Sequence, residues 1–337
     1  MDPLTQGLLG ATAVANSRMG KAPRGTALGL GFLGGMAADL DVLIRSTSDP
    51  LLFLEFHRQF THSLIFIPFG GLLCGLVLHA LFASRKGISR WQSILFCTLG
   101  YATHALLDAC TTYGTQLYWP FSNERVAWNV ISIIDPFYTL PIALLLALSL
   151  SPQRRWLARF ALAWVVAYPA LGWWQRGRAE HVAHQLAASR QHQIISLSAK
   201  PSFANLLLWK VIYRTPDYFY VDAIRVGVEP TVIAGTAVAP LNIQRDLPWL
   251  QAGSQQALDL ERFRWFSQDY IALASDNSLQ VIDLRYSLLP NEIEPLWGIE
   301  LSPSNSEQHV RYITKRGDSR AKSAELWRML LNSQLTP

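Results

Sequence analysis

The amino-acid sequence predicts a membrane-embedded all-α helical bundle of five to six membrane segments, followed by a small, β-rich α+β soluble domain. Three observations carry this reading. Of 337 residues, 50% are hydrophobic and only 16% are charged, whereas a soluble protein usually carries about 25% charged residues. The deficit is local, because the long apolar runs all fall before residue 175. Short loops rich in Lys and Arg then alternate with loops that hold few of them. The net charge of +5 is modest and sits mainly in those short loops, which points to membrane orientation and away from nucleic acid.

Taken in order, residues 3–17 are short for a full crossing and fit a partial or re-entrant helix. The sequence opens with Asp2 instead of a basic stretch, and no small-residue cleavage site follows, so a standard signal peptide is not expected. A span needs roughly 20 residues. Segments at about 26–44, 63–83, 91–110, 131–150 and 156–174 meet or approach that length. The first is rich in glycine, which permits close helix contact. The last ends in Trp173 and Trp174, suited to an interfacial belt. An amphipathic connecting helix is expected at 176–190. From 191 to 337 the pattern becomes that of an extracytoplasmic α+β domain. Leu206–Arg214 and Tyr218–Gly227, split by Thr215-Pro216-Asp217, read as a hairpin. Tyr270–Ala274, Leu279–Tyr286 and Val310–Thr314 are further strand candidates, and a helix is expected near 319–333.

Arg18, Lys21 and Arg24 mark one basic loop, Arg85, Lys86 and Arg90 a second, and Arg154 and Arg155 a third. Placing these in the cytoplasm puts the domain after residue 175 in the periplasm, with Arg176 and Arg178 running mildly counter. Helix rise then sets depth. Asp39 lies about 22 Å above Arg24, and His104 about 21 Å above Arg90. Asp108 follows at about 27 Å, and His62 lies about 34 Å from Arg85, at the outer edge of a core about 30 Å thick. Ionisable groups are costly in hydrocarbon, so a layer of them at one depth is a functional site by default.

His104 and Asp108 form an HxxxD pair whose members share a helix face. The alternative is a His–Asp hydrogen bond that braces the bundle. Asp39-Leu40-Asp41 is a DxD, and on an unbroken α-helix its two side chains point about 200° apart. Either the helix ends there or one of the two does not ligate. Thr61, in His57-Arg58-Gln59-Phe60-Thr61-His62-Ser63, is a candidate N-cap that would hold His62 in the first turn of the next helix. Imidazoles with carboxylates suit zinc, with manganese and iron as alternatives. Asp39, Asp41, His57, His62, His104 and Asp108 exceed one tetrahedral ion and suffice for a binuclear site. Asp41 is a bridging ligand or a general base. Arg58 and Arg125 are candidate stabilisers of an anionic group, and Asp135, before Pro136, a supporting carboxylate. Cys74, Cys97 and Cys110 lie in apolar segments without CxxC spacing and are expected to pack.

Met1-Asp2-Pro3-Leu4-Thr5-Gln6, Asp39-Leu40-Asp41, the 57–63 motif and Thr103–Asp108 together resemble the YdjM/YbcI-type family. Tyr113–Gln116, Trp119–Ser122, Ile134-Asp135-Pro136 and Pro201–Trp209 extend the likeness. That family is described as inner-membrane, metal-dependent hydrolases. The resemblance implies a bacterial inner-membrane location and a divalent metal on the His and Asp motifs, with Gln6 standing where some relatives carry His. A more distant likeness to zinc phospholipase C-type enzymes, with their HxxxD/E pairs, points by analogy to phosphoesters.

The expectation is therefore a membrane-integral hydrolase opening to the outer leaflet, with membrane lipids around it. A metal-activated water would act on a lipid-like or phosphoester substrate. The alternative is a non-catalytic metal-binding scaffold or a transporter. A transporter should show a polar path to the cytoplasmic side, where His79 is nearly alone.

Overall fold

The computed structural model describes residues 1–315 and 319–331. The chain divides into two compact units. One comprises Met1–Ile44, Phe56–Trp173 and Phe203–Asn205; the other comprises Arg45–Glu55, Trp174–Ser202 and Leu206–Pro337.

The helices of the first part of the chain are α1 (Pro3–Ala15), α2 (Arg24–Met36), α3 (Leu52–Phe56), α4 (Ile67–Leu78), α5 (Arg90–Ala109), α6 (Pro136–Leu148) and α7 (Leu157–Ser189). Each expected apolar segment therefore contains a helix, although 131–150 is helical only over Pro136–Leu148. Their starts follow local chemistry. Asp2 caps α1 by accepting from Thr5 N at 3.0 Å, with Pro3 in the first turn. Ser89 and Gln92 form a reciprocal capping box at the start of α5. A 3-10 helix, Ala37–Leu43, continues α2 directly. Among the described residues, two helical stretches are long and apolar enough to cross a membrane, Arg24–Leu43 and Leu64–Lys86, while Pro136–Leu148 is apolar but shorter. The helix α7 runs unbroken past Trp174, so the segments anticipated at 156–174 and 176–190 form one helix.

Glycine sets the approach of the helices that carry the polar residues. A Cβ on Gly10 of α1, or on Gly100 of α5, would lie 2.1 Å from the carbonyl oxygen of Gly31 in α2. Only glycine permits that three-helix crossing. It brings Gln6, Asp39 and His104, each within about one or two turns of the contact, to the same level.

The second unit holds two four-stranded antiparallel meanders. The first consists of β1 (Ser196–Pro201), β2 (Leu208–Arg214), β3 (Phe219–Val226) and β4 (Pro230–Val238). The second consists of β5 (Ile271–Leu273), β6 (Gln280–Asp283), β7 (Trp297–Glu300) and β8 (Arg311–Thr314). Ile212, Phe219 and Val221 of the first sheet pack with Ala272, Ala274, Ile282 and Leu284 of the second to form the core. Helices α8 (Ile243–Asp246), α9 (Gln255–Phe266) and α10 (Ser319–Leu331) complete this unit. Positions 332 and 333 of the anticipated closing helix lie outside the described residues.

Candidate metal centre

On α5, the i,i+4 spacing places His104 Nε2 3.5 Å from Asp108 Oδ2. Asp39 and Asp41 lie on the 3-10 turn that ends the α2 rod. A 3-10 helix turns about 120° per residue, so side chains two apart diverge by about 120°, against about 160° the short way round in an α-helix. Both carboxylates can therefore face neighbouring parts of one site. His62 ends a separate 3-10 turn, Phe60–His62, and Ser63 after it is extended. Thr61 does not cap the following helix as expected. Its hydroxyl donates instead to Asp41 Oδ2 at 2.8 Å.

Four buried or half-buried side chains converge. His62 Nε2 and His104 Nε2 are 2.9 Å apart. Asp39 Oδ1 lies 3.6 Å from the first and 3.4 Å from the second. Asp108 Oδ2 lies 3.2 Å and 3.5 Å from them. The far side of each ring fixes its tautomer. His104 Nδ1 is 2.5 Å from the Gly35 carbonyl oxygen, which can only accept, so this nitrogen carries the hydrogen. His62 Nδ1 sits 3.2 Å from Asp41 Oδ2 and 2.9 Å from Thr61 Oγ1, so it too is the N–H. In the neutral rings both Nε2 atoms then present lone pairs to one another and to two carboxylates.

Such a set of electron-pair donors calls for positive charge. Asp108 Oδ2 is buried with no hydrogen-bond partner, while Asp108 Oδ1 accepts from Gln6 Nε2 at 2.9 Å and from the Met1 amino group. Burial alone would push the His62 imidazole down; the carboxylates of Asp108, Asp39 and Asp41 around the ring outweigh it and raise the pKa to about 10. A divalent cation would meet the same demand. The two-imidazole, two-carboxylate donor set fits zinc, manganese or iron. An imidazole whose second nitrogen donates to a carbonyl or carboxylate is the usual support for a metal-bound histidine.

A second group, Asp39, Asp41 and His57, has ligating atoms within 4.8 Å of one another. Asp41, though, is heavily engaged: Oδ1 takes His57 Nδ1 at 2.7 Å, and Oδ2 accepts from Arg58 N at 2.9 Å as well as from Thr61. Its geometry is that of an organiser between two imidazoles. Burial lowers the His57 pKa despite the Asp41 hydrogen bond, so the ring is neutral near pH 7.

Arg58 adopts a left-handed backbone, φ 65°, uncommon for a side-chain-bearing residue. That turn aims its N–H at Asp41 and its guanidinium at Asp108. Arg58 Nε lies 3.0 Å from Asp108 Oδ2 as an ion pair without hydrogen-bond alignment, and Nη1 donates to Thr111 Oγ1 at 2.9 Å. The Tyr113 ring lies under both guanidiniums, 4.8 Å from Arg58 and 5.3 Å from Arg125. Arg125 donates to the Gly114 carbonyl at 3.0 Å and the His57 carbonyl at 3.4 Å. Asp135 is occupied elsewhere: its carboxylate caps α6 through Phe137 N at 3.1 Å and accepts from Tyr168 Oη at 2.8 Å. The Gly35 carbonyl and the Thr111 hydroxyl escape sequence reasoning, since a backbone acceptor and an isolated threonine carry no pattern.

A family model described as YdjM inner membrane protein matches residues 1–179, which include every member of the cluster. The chain is 33% identical over 157 residues to inner membrane protein YbcI of Escherichia coli (strain K12), covering 43% of this chain and 82% of that one. It is 26% identical over 193 residues to the uncharacterized protein YfhP of Bacillus subtilis (strain 168), covering 56% of this chain and 55% of that protein. The chain thus spans about half the length of the Bacillus relative. No solved structure matches it.

Proposed function

The chain belongs to the YdjM inner membrane protein family, and from that premise we propose that its helical unit is a membrane-integral, metal-dependent hydrolase. The observation that carries the reading is the pair of Nε2 lone pairs held face to face beside two carboxylates. His62, His104, Asp39 and Asp108 would hold the ion. When bound, a divalent cation there lowers the pKa of a water and polarises a phosphoryl or acyl oxygen. Asp39 is the open member, its side chain 19% exposed while those of His62, His104 and Asp108 are fully buried, so substrate approaches from its side. Asp41 orients His62 and His57 together. Neutral His57, with Nδ1 donating to Asp41, keeps Nε2 to take a proton. Arg58 and Arg125 neutralise and brace the site through Asp108 and the 111–125 loop.

A lipid-like phosphoester is the proposed substrate class. Apolar residues flank the open edge: Leu40 is 65% and Leu43 76% exposed. Ser93, His104 and Asp108 of α5 are buried while Trp91, Leu95 and Leu106 are exposed, the pattern of a helix facing hydrocarbon. The proposed bundle has five to six membrane segments, α5 among them, and the basic loops favour a periplasmic C-terminal domain. Detergent-purified protein assayed on lipid phosphoesters should show metal-dependent hydrolysis that His104→Ala and Asp108→Ala abolish. Activity surviving both substitutions rules out the mechanism; bound metal without turnover on any ester favours an ion-binding scaffold.

A further inference from the structure

The chain leaves the helical unit at Ile44, just after Asp39 and Asp41, and re-enters it at Phe56, just before His57. The intervening Arg45–Glu55 folds with the second unit. It is internally built: Ser46 Oγ accepts from Asp49 N at 3.1 Å, and Asp49 Oδ1 accepts from Leu51 N at 2.9 Å at the entry to α3.

One guanidinium grips this segment at its middle and at its C-terminal end. Arg262, on α9, reaches Asp49 Oδ1 at 3.1 Å and Oδ2 at 2.8 Å, and Glu55 Oε1 at 2.5 Å. It is anchored to its own helix through Asp259 Oδ1 at 2.9 Å. The Phe53 ring packs edge-on against Tyr312 at 5.1 Å. An isolated exposed ion pair contributes little, but a planar fork shared by three carboxylates, 21% exposed, is the geometry in which such pairs matter.

The position of this clasp matters because Asp41 and His57, the residues at either end of the excursion, touch at 2.7 Å. The stretch from 41 to 57 is therefore a closed loop, and closure costs entropy unless the loop is already ordered. We propose that Arg262 is a positioning residue for the metal centre: by clasping Asp49 and Glu55 it pre-orders the loop and keeps Asp41 seated against His57 and His62. The link to metal rests on the function proposed above; the ordering of residues 56–62 does not.

The test uses full-length protein in detergent, carrying Arg262→Ala, Arg262→Lys, or the double change Asp49→Asn with Glu55→Gln. The double variant leaves the Arg262–Asp259 pair in place should loss of the arginine prevent folding. Amide hydrogen exchange of residues 56–62 is measured alongside Co(II) affinity and its visible absorption. Faster exchange at 56–62, an altered cobalt spectrum and affinity about tenfold weaker in all three variants is the expected result. Lysine fails to rescue because an ammonium cannot bridge the carboxylates. Faster exchange confined to 45–55, with wild-type cobalt binding, overturns the proposal. Should the wild-type protein take up no cobalt, the metal reading falls and exchange at 56–62 alone decides the clasp.

Discussion

His62 and His104 face each other through Nε2 atoms 2.9 Å apart, and neither ring is free to turn its other nitrogen inward. Gly35 holds His104 from behind and Asp41 holds His62. Two imidazoles approach in that way only with positive charge between them, a shared proton or a bound cation. A cation held there would touch His62, His104, Asp39 and Asp108, while Gly35 and Asp41 aim the two rings.

Asp41→Asn tests that division. The amide keeps the shape but weakens the acceptor that fixes the His62 tautomer, so metal affinity should fall about 10- to 100-fold. His57→Gln should leave affinity near wild type and remove turnover if His57 takes the proton, as proposed, instead of holding the ion. Titration with a competing chelator distinguishes the two. Equal losses of affinity would make His57 a ligand, and about two ions per chain would place the second at Asp39, Asp41 and His57.

Gly100→Val should break the helix crossing. A Cβ there would stand 2.1 Å from the Gly31 carbonyl oxygen, and backbone cannot yield cheaply. Overpacking costs typically 1–3 kcal/mol or more, so the variant should unfold several degrees lower in detergent and bind metal poorly. Gly29→Ala, where an added Cβ meets nothing within 4 Å, is the control and should behave as wild type.

Much of this site was readable from residue types alone. A carboxylate in an apolar helix is costly, so His104 and Asp108 declared themselves, and the i,i+4 spacing paired them. Helix rise put Asp39 and His104 at one level, which the glycine crossing enforces, but it set His62 further out, whereas the structure brings its ring against His104. Other roles depended on partners far away in sequence. Thr61 looked like a cap because its hydroxyl precedes an apolar run, yet Asp41 claims it. Asp135 resembled a site carboxylate until Tyr168 and the start of α6 took both its oxygens. In the β-rich unit the buried strands β2 and β3 announced themselves by apolar content. The strand β4 is largely exposed and contains Gly235, and β1 mixes Ser196, Ser198 and Lys200 with few apolar residues, so neither shows a strand pattern.

Lys210 gives the second unit a pH dependence. Its buried Nζ donates to Ser287 Oγ at 2.8 Å and the Glu292 carbonyl at 2.7 Å. Burial outweighs the attraction of Asp283 and Glu292 and lowers its pKa to about 7. Between there and the ordinary lysine range the unfolded chain binds one more proton than the folded one. Stability should therefore rise as pH goes from about 7 towards 10, by at most about 1.4 kcal/mol per pH unit, with the full penalty present below pH 7. Hydrogen exchange of β2 and β3 at several pH values reads this directly. Lys210→Met should flatten the dependence; an unchanged slope would assign it to another group, with Lys200 the next to replace.

The metal content of detergent-purified protein, wild type against His104→Ala and Asp108→Ala, decides whether this cluster holds an ion. About one tightly held divalent ion per wild-type chain is expected, and its loss in both variants while the protein stays folded. Equal, sub-stoichiometric metal in all three would contradict it.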